Sequence, residues 1–189
     1  MFALPFVLAL GAVSASPQVP QPQPPQVVVK GVVTTDHGEH PAWFTLICTR
    51  GEGAALSLEM RVADTDVTGF DFGAYEGPGA RAPRQPSAHL QVNQLKPPPV
   101  SVAGWYSGDG DQDPAPFVFG IATTPGRPNT ATTIAAALSK PGAVLTWTQD
   151  NPGLHGPPLI ARFTPDAMQS QQLATIATPC LPQRSSLRK

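Results

Sequence analysis

Charge is scarce in this chain. Asp, Glu, Lys and Arg make up 13% of its 189 residues, against roughly 25% in ordinary soluble domains. The signs nearly cancel, at a formal net −1, so no electrostatic ground exists for a nucleic-acid partner. Cysteine is rarer still, at 2 residues, Cys48 and Cys180. No Cys-x-x-Cys pair is present, and neither cysteine has a basic neighbour pattern that lowers a thiol pKa, which argues against redox or nucleophilic cysteine chemistry. No nucleophile elbow, phosphate loop or dinucleotide fingerprint occurs; Trp105-Tyr106-Ser107-Gly108 lacks the Gly-x-Ser frame. The one long apolar stretch, 2–15, falls short of the ~18 residues that span a bilayer. Long helices are excluded by what is abundant, 24 prolines and 17 glycines, because proline removes a donor and clashes with the preceding turn.

That apolar stretch reads as a secretory signal (1–15), with Val13-Ser14-Ala15 supplying small residues at the cleavage site. No Lys or Arg precedes it. Residues 16–26 (SPQVPQPQPPQ) form a Pro/Gln-rich linker of polyproline II character, 27–182 a β-rich domain, and 183–189 a basic tail carrying Arg184, Arg188 and Lys189. Roughly 150 residues bury close to 70% of the unfolded chain's surface, enough for one core. Export implies an oxidising compartment, where a lone pair of cysteines is expected to bond. The expected localisation is therefore periplasmic or secreted, with a Cys48–Cys180 disulfide.

Along the domain, Val27–Val33 is rich in β-branched residues and reads as a strand, with Gly31 as a candidate bulge. Asp36–Pro41 reads as a turn. Trp43–Thr49 is a buried strand, and Ala54–Ala63 alternates Leu56, Leu58, Met60 and Val62 against Ser57, Glu59 and Arg61, predicting a hairpin. Gly69–Tyr75 alternates Phe70 and Phe72. Further strands are expected within 87–95, 100–106, 116–123, 143–148 and 158–163. Two helices are credible: Ala131–Ser139, capped by Asn129 or Thr130, and one begun by Thr164-Pro165-Asp166 and running to about Ile176.

Candidate sites are few. Asp109, Asp111 and Asp113 match the first alternating acids of a calcium loop. Pro114, however, replaces its glycine and Gly120 its bidentate glutamate, so a solvated acidic turn is expected and no metal. His37-Gly38-Glu39-His40 lacks zincin spacing and reads as an exposed turn. Large aromatics near strand ends suit recognition: Trp43, Tyr75, and above all Trp105 and Tyr106, with Arg81 and Arg84 on the Gly77–Pro86 loop as candidate contacts for an anion or acidic partner. These four, Trp105, Tyr106, Arg81 and Arg84, are the candidate binding surface.

The strand Phe44–Thr49, its alternating successor, and the late Phe163-Thr164-Pro165 helix leading to Cys180 resemble exported bacterial proteins of the invasion-associated locus B kind, over Trp43 to Leu181. They also look like the type VI secretion-associated accessory lipoproteins, although the lipid-anchor cysteine of those proteins is absent. The resemblance implies a non-enzymatic envelope protein. The resulting expectation is a mainly β, antiparallel β-sandwich-like single domain with two short helices and one disulfide. It would serve as a non-catalytic binding or accessory protein with an unknown envelope partner, no cofactor, no nucleic acid and no membrane anchor after signal cleavage. The alternative is an inhibitor of a periplasmic lysozyme-type enzyme, with the loop Tyr106–Asp113 plugging a cleft.

Overall fold

Side chains alternate across a strand, and here that alternation separates a continuous core from a half-wet outer face. A computed structural model describes residues 24–49, 55–78, 80, 84–108, 115–123, 129–153 and 156–182. The expected signal, residues 16–23 of the linker, Arg81, Asp109, Asp111, Asp113, His155 and the basic tail lie outside the described residues. The strands are β1 (Gln26–Thr35), β2 (Gly38–Thr49), β3 (Ala55–Val62), β4 (Ala88–Val92), β5 (Ala103–Tyr106), β6 (Phe117–Ala122), β7 (Leu145–Gln149) and β8 (Leu159–Phe163). All pair antiparallel in one 8-stranded sheet of order β4-β7-β8-β1-β2-β3-β6-β5. The fold is the expected mainly β single domain with two helices and one disulfide. Its strands form one sheet curled into a half-barrel, so that opposite walls of the curl face each other across the core.

The hairpin of β2 and β3 is as the alternation predicts, with Leu46 opposite Leu58 and Phe44 opposite Met60, all fully buried. The turn expected over Asp36–Pro41 is much shorter: β1 pairs to Thr35, and β2 already starts at Gly38 and includes Pro41. Pro41 is tolerated because it lies beyond the last β2–β3 pair, Ala42–Val62, where its missing N–H faces no strand. The strand also starts one residue earlier than expected, at Gln26, and Pro25 accepts a bond from the Cys48 N–H at 3.1 Å. Gly31 is not a bulge. It pairs regularly with Ala42 and Phe163, and the Phe163 ring occupies the space a β-carbon would fill.

Both helices carry reciprocal caps. In α1 (Thr130–Leu138), the Asn129 side chain accepts from Thr132 N at 3.0 Å while Thr132 Oγ1 accepts from Asn129 N at 2.9 Å. In α2 (Ala167–Ala177) the cap is Asp166, two residues later than Thr164. Its carboxylate accepts from Gln169 N at 2.7 Å, and Gln169 Oε1 accepts from Asp166 N at 3.0 Å. That capping box outcompetes the single hydroxyl of Thr164. The helix α1 touches both β3 and β4, which lie far apart in the strand order, so it spans the mouth of the curl. The helix α2 rests on β1 and β2 and delivers Cys180 to Cys48, the Cα atoms 5.9 Å apart. The disulfide joins positions 132 residues apart, a loop for which chain-entropy arguments give about 4–5 kcal/mol.

The expected strand Gly69–Tyr75 is instead a turn and a 3₁₀ segment, Phe72–Tyr75. The Asp71 carboxylate accepts from Ala74 N at 3.2 Å and caps it. Phe70 and Phe72 both enter an aromatic cluster with Tyr75, Phe117 and Phe119, at centroid distances of 4.9–5.9 Å. Here packing overrides the alternation. The same segment ties the two ends of the sheet together. Glu76 bridges to Gly104 of β5, while the Tyr75 hydroxyl donates to the Asp150 carbonyl and accepts from Gln149 Nε2 at 2.7 Å. Gln149, fully buried on β7, also donates to Ser87 and accepts from Trp147 Nε1 at 3.2 Å. Burial pushes the Tyr75 phenol above its ordinary range, so it stays a neutral hydrogen-bonding hub at neutral pH.

Candidate functional site

The convex face of β3, β6 and β5 carries the chemistry that the core leaves unused. Inward positions of β3 (Leu56, Leu58, Met60, Val62) are sealed, whereas Ser57, Glu59 and Arg61 point outwards and are half-buried. Register lines Glu59 up with Gly120 and Ala103, and Arg61 with Val118 and Trp105. Neighbouring strands lie about 4.8 Å apart, so these side chains share one patch.

Trp105 shapes that patch. Its indole lies across Gly120, where an added β-carbon would meet Cη2 and Cζ3 at 2.5 and 2.6 Å. Glycine at 120 is thus what lets the ring lie close against the sheet, and the ring remains 39% exposed. On one side of it is a depression of about 300 Å³ floored by Ser57, Gly120 and Ala122. On the other is one of about 410 Å³ reaching Gln26, Arg61 and Ser107. Glu59 and Trp105 line both, so the two read as one groove with the indole at its middle.

Burial pushes the Glu59 carboxyl above its ordinary 4.5, and the charge of Arg61 partly offsets this. Among the described residues neither Glu59 nor the Trp105 N–H has a hydrogen-bond partner, and no salt bridge joins Glu59 to Arg61. Thr45, paired opposite Glu59, also keeps a buried hydroxyl without a partner among the described residues. The groove therefore offers an aromatic platform, an acceptor and a multiple donor, all available to a ligand.

Trp105 and Tyr106 do not form one surface, contrary to the expectation from their adjacency. Consecutive strand residues face opposite ways: Tyr106 pairs with Phe117, packs on its ring at 5.0 Å, and donates to Asp64 Oδ2 at 3.0 Å. Burial, the Asp64 hydrogen bond and the Asp64 and Glu76 charges raise its phenol above the ordinary value. Arg84 is exposed in the segment before β4 and does not line the groove, and Arg81 lies outside the described residues. Tyr75 is core, and Trp43 is half-buried on the outer face of β2. The acidic turn with Asp109, Asp111 and Asp113 lies outside the described residues; among those described, no group of three His, Cys, Asp or Glu side chains is placed to hold a metal. His40 sits beside Asp66 at 3.8 Å and His89 beside Asp150 at 3.1 Å, two separate pairs rather than one centre. Glu59 and Arg61 went unremarked in the sequence beyond their polar alternation; an acid and a base two residues apart on a strand's outward face was the available signal.

Comparison with family models, with curated proteins and with solved structures finds no match to this chain.

Proposed function

We propose that this chain is an exported, non-catalytic binding or accessory protein of the bacterial cell envelope, and that its contact surface is the groove around Trp105. The observation that carries the reading is a large indole that lies close over Gly120 on an outer sheet face and is still 39% exposed. An indole there has an apolar body and an N–H with no protein partner among the described residues, a combination of apolar body and polar tip enriched at recognition surfaces. The Cys48–Cys180 disulfide accords with an oxidising compartment, and the resemblance to invasion-associated locus B proteins accords with an envelope role.

Site-specific photo-crosslinking in cells tests this. A photoreactive residue replaces Ser57 in the groove or Ile160, which is exposed on the outward face of β8. Adducts should form from position 57, not from 160, and should disappear in the Trp105→Ala background. Equal adducts from both positions, or none from 57, would overturn the reading. An adduct with a muralytic enzyme would favour the inhibitor alternative.

A further inference from the structure

Charge balance narrows what the groove accepts. Glu59 and Arg61 are the charged side chains among its described lining residues, one of each sign. An anionic ligand meets Glu59 at close range and a cationic one meets Arg61, so a net charge gains little from the pair. A neutral ligand rich in hydroxyls meets no such conflict. It donates to the half-buried carboxylate, which has no partner among the described residues, and accepts from the guanidinium. Bonds to ionised groups of this kind are the stronger class of hydrogen bond.

The indole adds a second requirement. A ring face with a negative quadrupole attracts the positively polarised edges of C–H bonds. A ligand that presents a flat, hydrogen-clad apolar face and a rim of hydroxyls satisfies ring, acid and base at once, and a pyranose sugar has that form. The depressions on both sides of Trp105 set the length. From Ser57 to Arg61 the strand covers roughly 13 Å at ordinary strand rise, and both sides of the indole are open. The groove thus admits neighbours of the stacked ring on either side.

We infer that the groove binds a neutral oligosaccharide, one sugar stacked on Trp105 with its hydroxyls held by Glu59 and Arg61. The inference rests on the contact surface proposed above and specifies its ligand.

Titration of the disulfide-bonded protein with cello-oligosaccharides and chito-oligosaccharides, from monomer to hexamer, provides the test. Calorimetry and tryptophan emission give the readouts. Trp147 is fully buried, but Trp43 is half-buried and pairs opposite Arg61, so an emission change reports on the Trp105 groove when it is lost in Trp105→Phe and kept in Trp43→Phe. Affinity should rise from monomer to trimer. It should fall about tenfold or more in Trp105→Ala, the equivalent of ~1.4 kcal/mol, and fall less in Glu59→Gln. Oligogalacturonates, which carry negative charge, should bind more weakly than the neutral series. No binding by any neutral saccharide, or binding indifferent to Trp105→Ala, overturns the inference. So does preferential binding of a synthetic proline-rich peptide, the other extended ligand that stacks on tryptophan. Should position 57 crosslink to a protein in cells while the purified chain ignores every sugar, the contact surface stands and the saccharide falls. A circular-dichroism spectrum matching wild type shows that each variant is folded.

Discussion

The two faces of β3 are made from alternate residues of one strand, yet they differ in how completely they are satisfied. On the concave side Leu56, Leu58, Met60 and Val62 are fully buried among partners from other elements. On the convex side Ser57, Glu59 and Arg61 are half-buried beside an indole whose N–H has no partner among the described residues. A partly buried polar group left unmatched costs folding some free energy and keeps its bonding capacity for a ligand. The concave face explains why the chain folds, and the convex face is where its function is sought.

The comparison can be broken or sharpened by measurement. The largest effect is expected inside, at the staple. Replacing both cysteines (Cys48→Ser with Cys180→Ser) should lower unfolding free energy by about 4–5 kcal/mol on the chain-entropy account, measured by urea titration. Next, Phe119→Ala, which opens the aromatic cluster, should cost about 3–5 kcal/mol, whereas Trp105→Ala on the outer face should cost about 1 kcal/mol or less. Equal costs in calorimetric scans would mean that Trp105 is structural and the division between the faces is false. Gln149→Leu should cost about 2–3 kcal/mol, because the Trp147 N–H and the Ser87 and Tyr75 oxygens lose their shared partner. The same scans check it, and near-ultraviolet circular dichroism should show the displaced rings.

The smallest effect belongs to Glu59. Its carboxyl is raised in the folded protein by burial, so the fold prefers the protonated form. Between the ordinary 4.5 and the higher folded value, the native state holds more of the proton than the unfolded chain. The Glu59 contribution to stability therefore falls as pH rises through that window. Glu59→Gln should remove this slope and slightly raise stability at neutral pH, seen as urea midpoints compared from acid to neutral conditions. An unchanged slope would show that Glu59 is well solvated and the groove less enclosed than its geometry states.

Much of the architecture was legible because it depends on short-range pattern. The alternation in Ala55–Val62 located a strand and its hairpin partner, and Asn129 marked a helix start. Two cysteines in a chain with a signal-like start left one intramolecular pairing, and that pairing is observed. Errors arose where a distant partner decides the local form. Phe70 and Phe72 alternate as a strand would, but the Asp71 cap, the Asn151 side chain bonded to Asp71 N and Gly69 O, and the aromatic cluster fold them into a turn. Asp36–Pro41 read as a turn, whereas Pro41 lies inside β2, one residue beyond the last β2–β3 pair, where β3 does not need its donor.

The candidate site was legible only in part, as Trp105 alone. Adjacency suggested Tyr106 as its companion, but strand geometry sends Tyr106 to the other face. Glu59 and Arg61 lie more than forty residues away in sequence and reach Trp105 only because β6 pairs with β3 on one edge and β5 on the other.

By itself, then, the sequence determined the fold class, the hairpin of β2 and β3, the helix positions to within a turn, and the cysteine partnership. Each follows from periodicity, caps or count, which act over a few residues or allow one solution. The tertiary structure alone decided the strand order, the closure of the curl through Tyr75 and Gln149, and the meeting of Glu59, Arg61 and Trp105 above Gly120. These depend on which strand edges pair, and backbone hydrogen bonds, alike at every residue, leave that choice to the packing of the whole core.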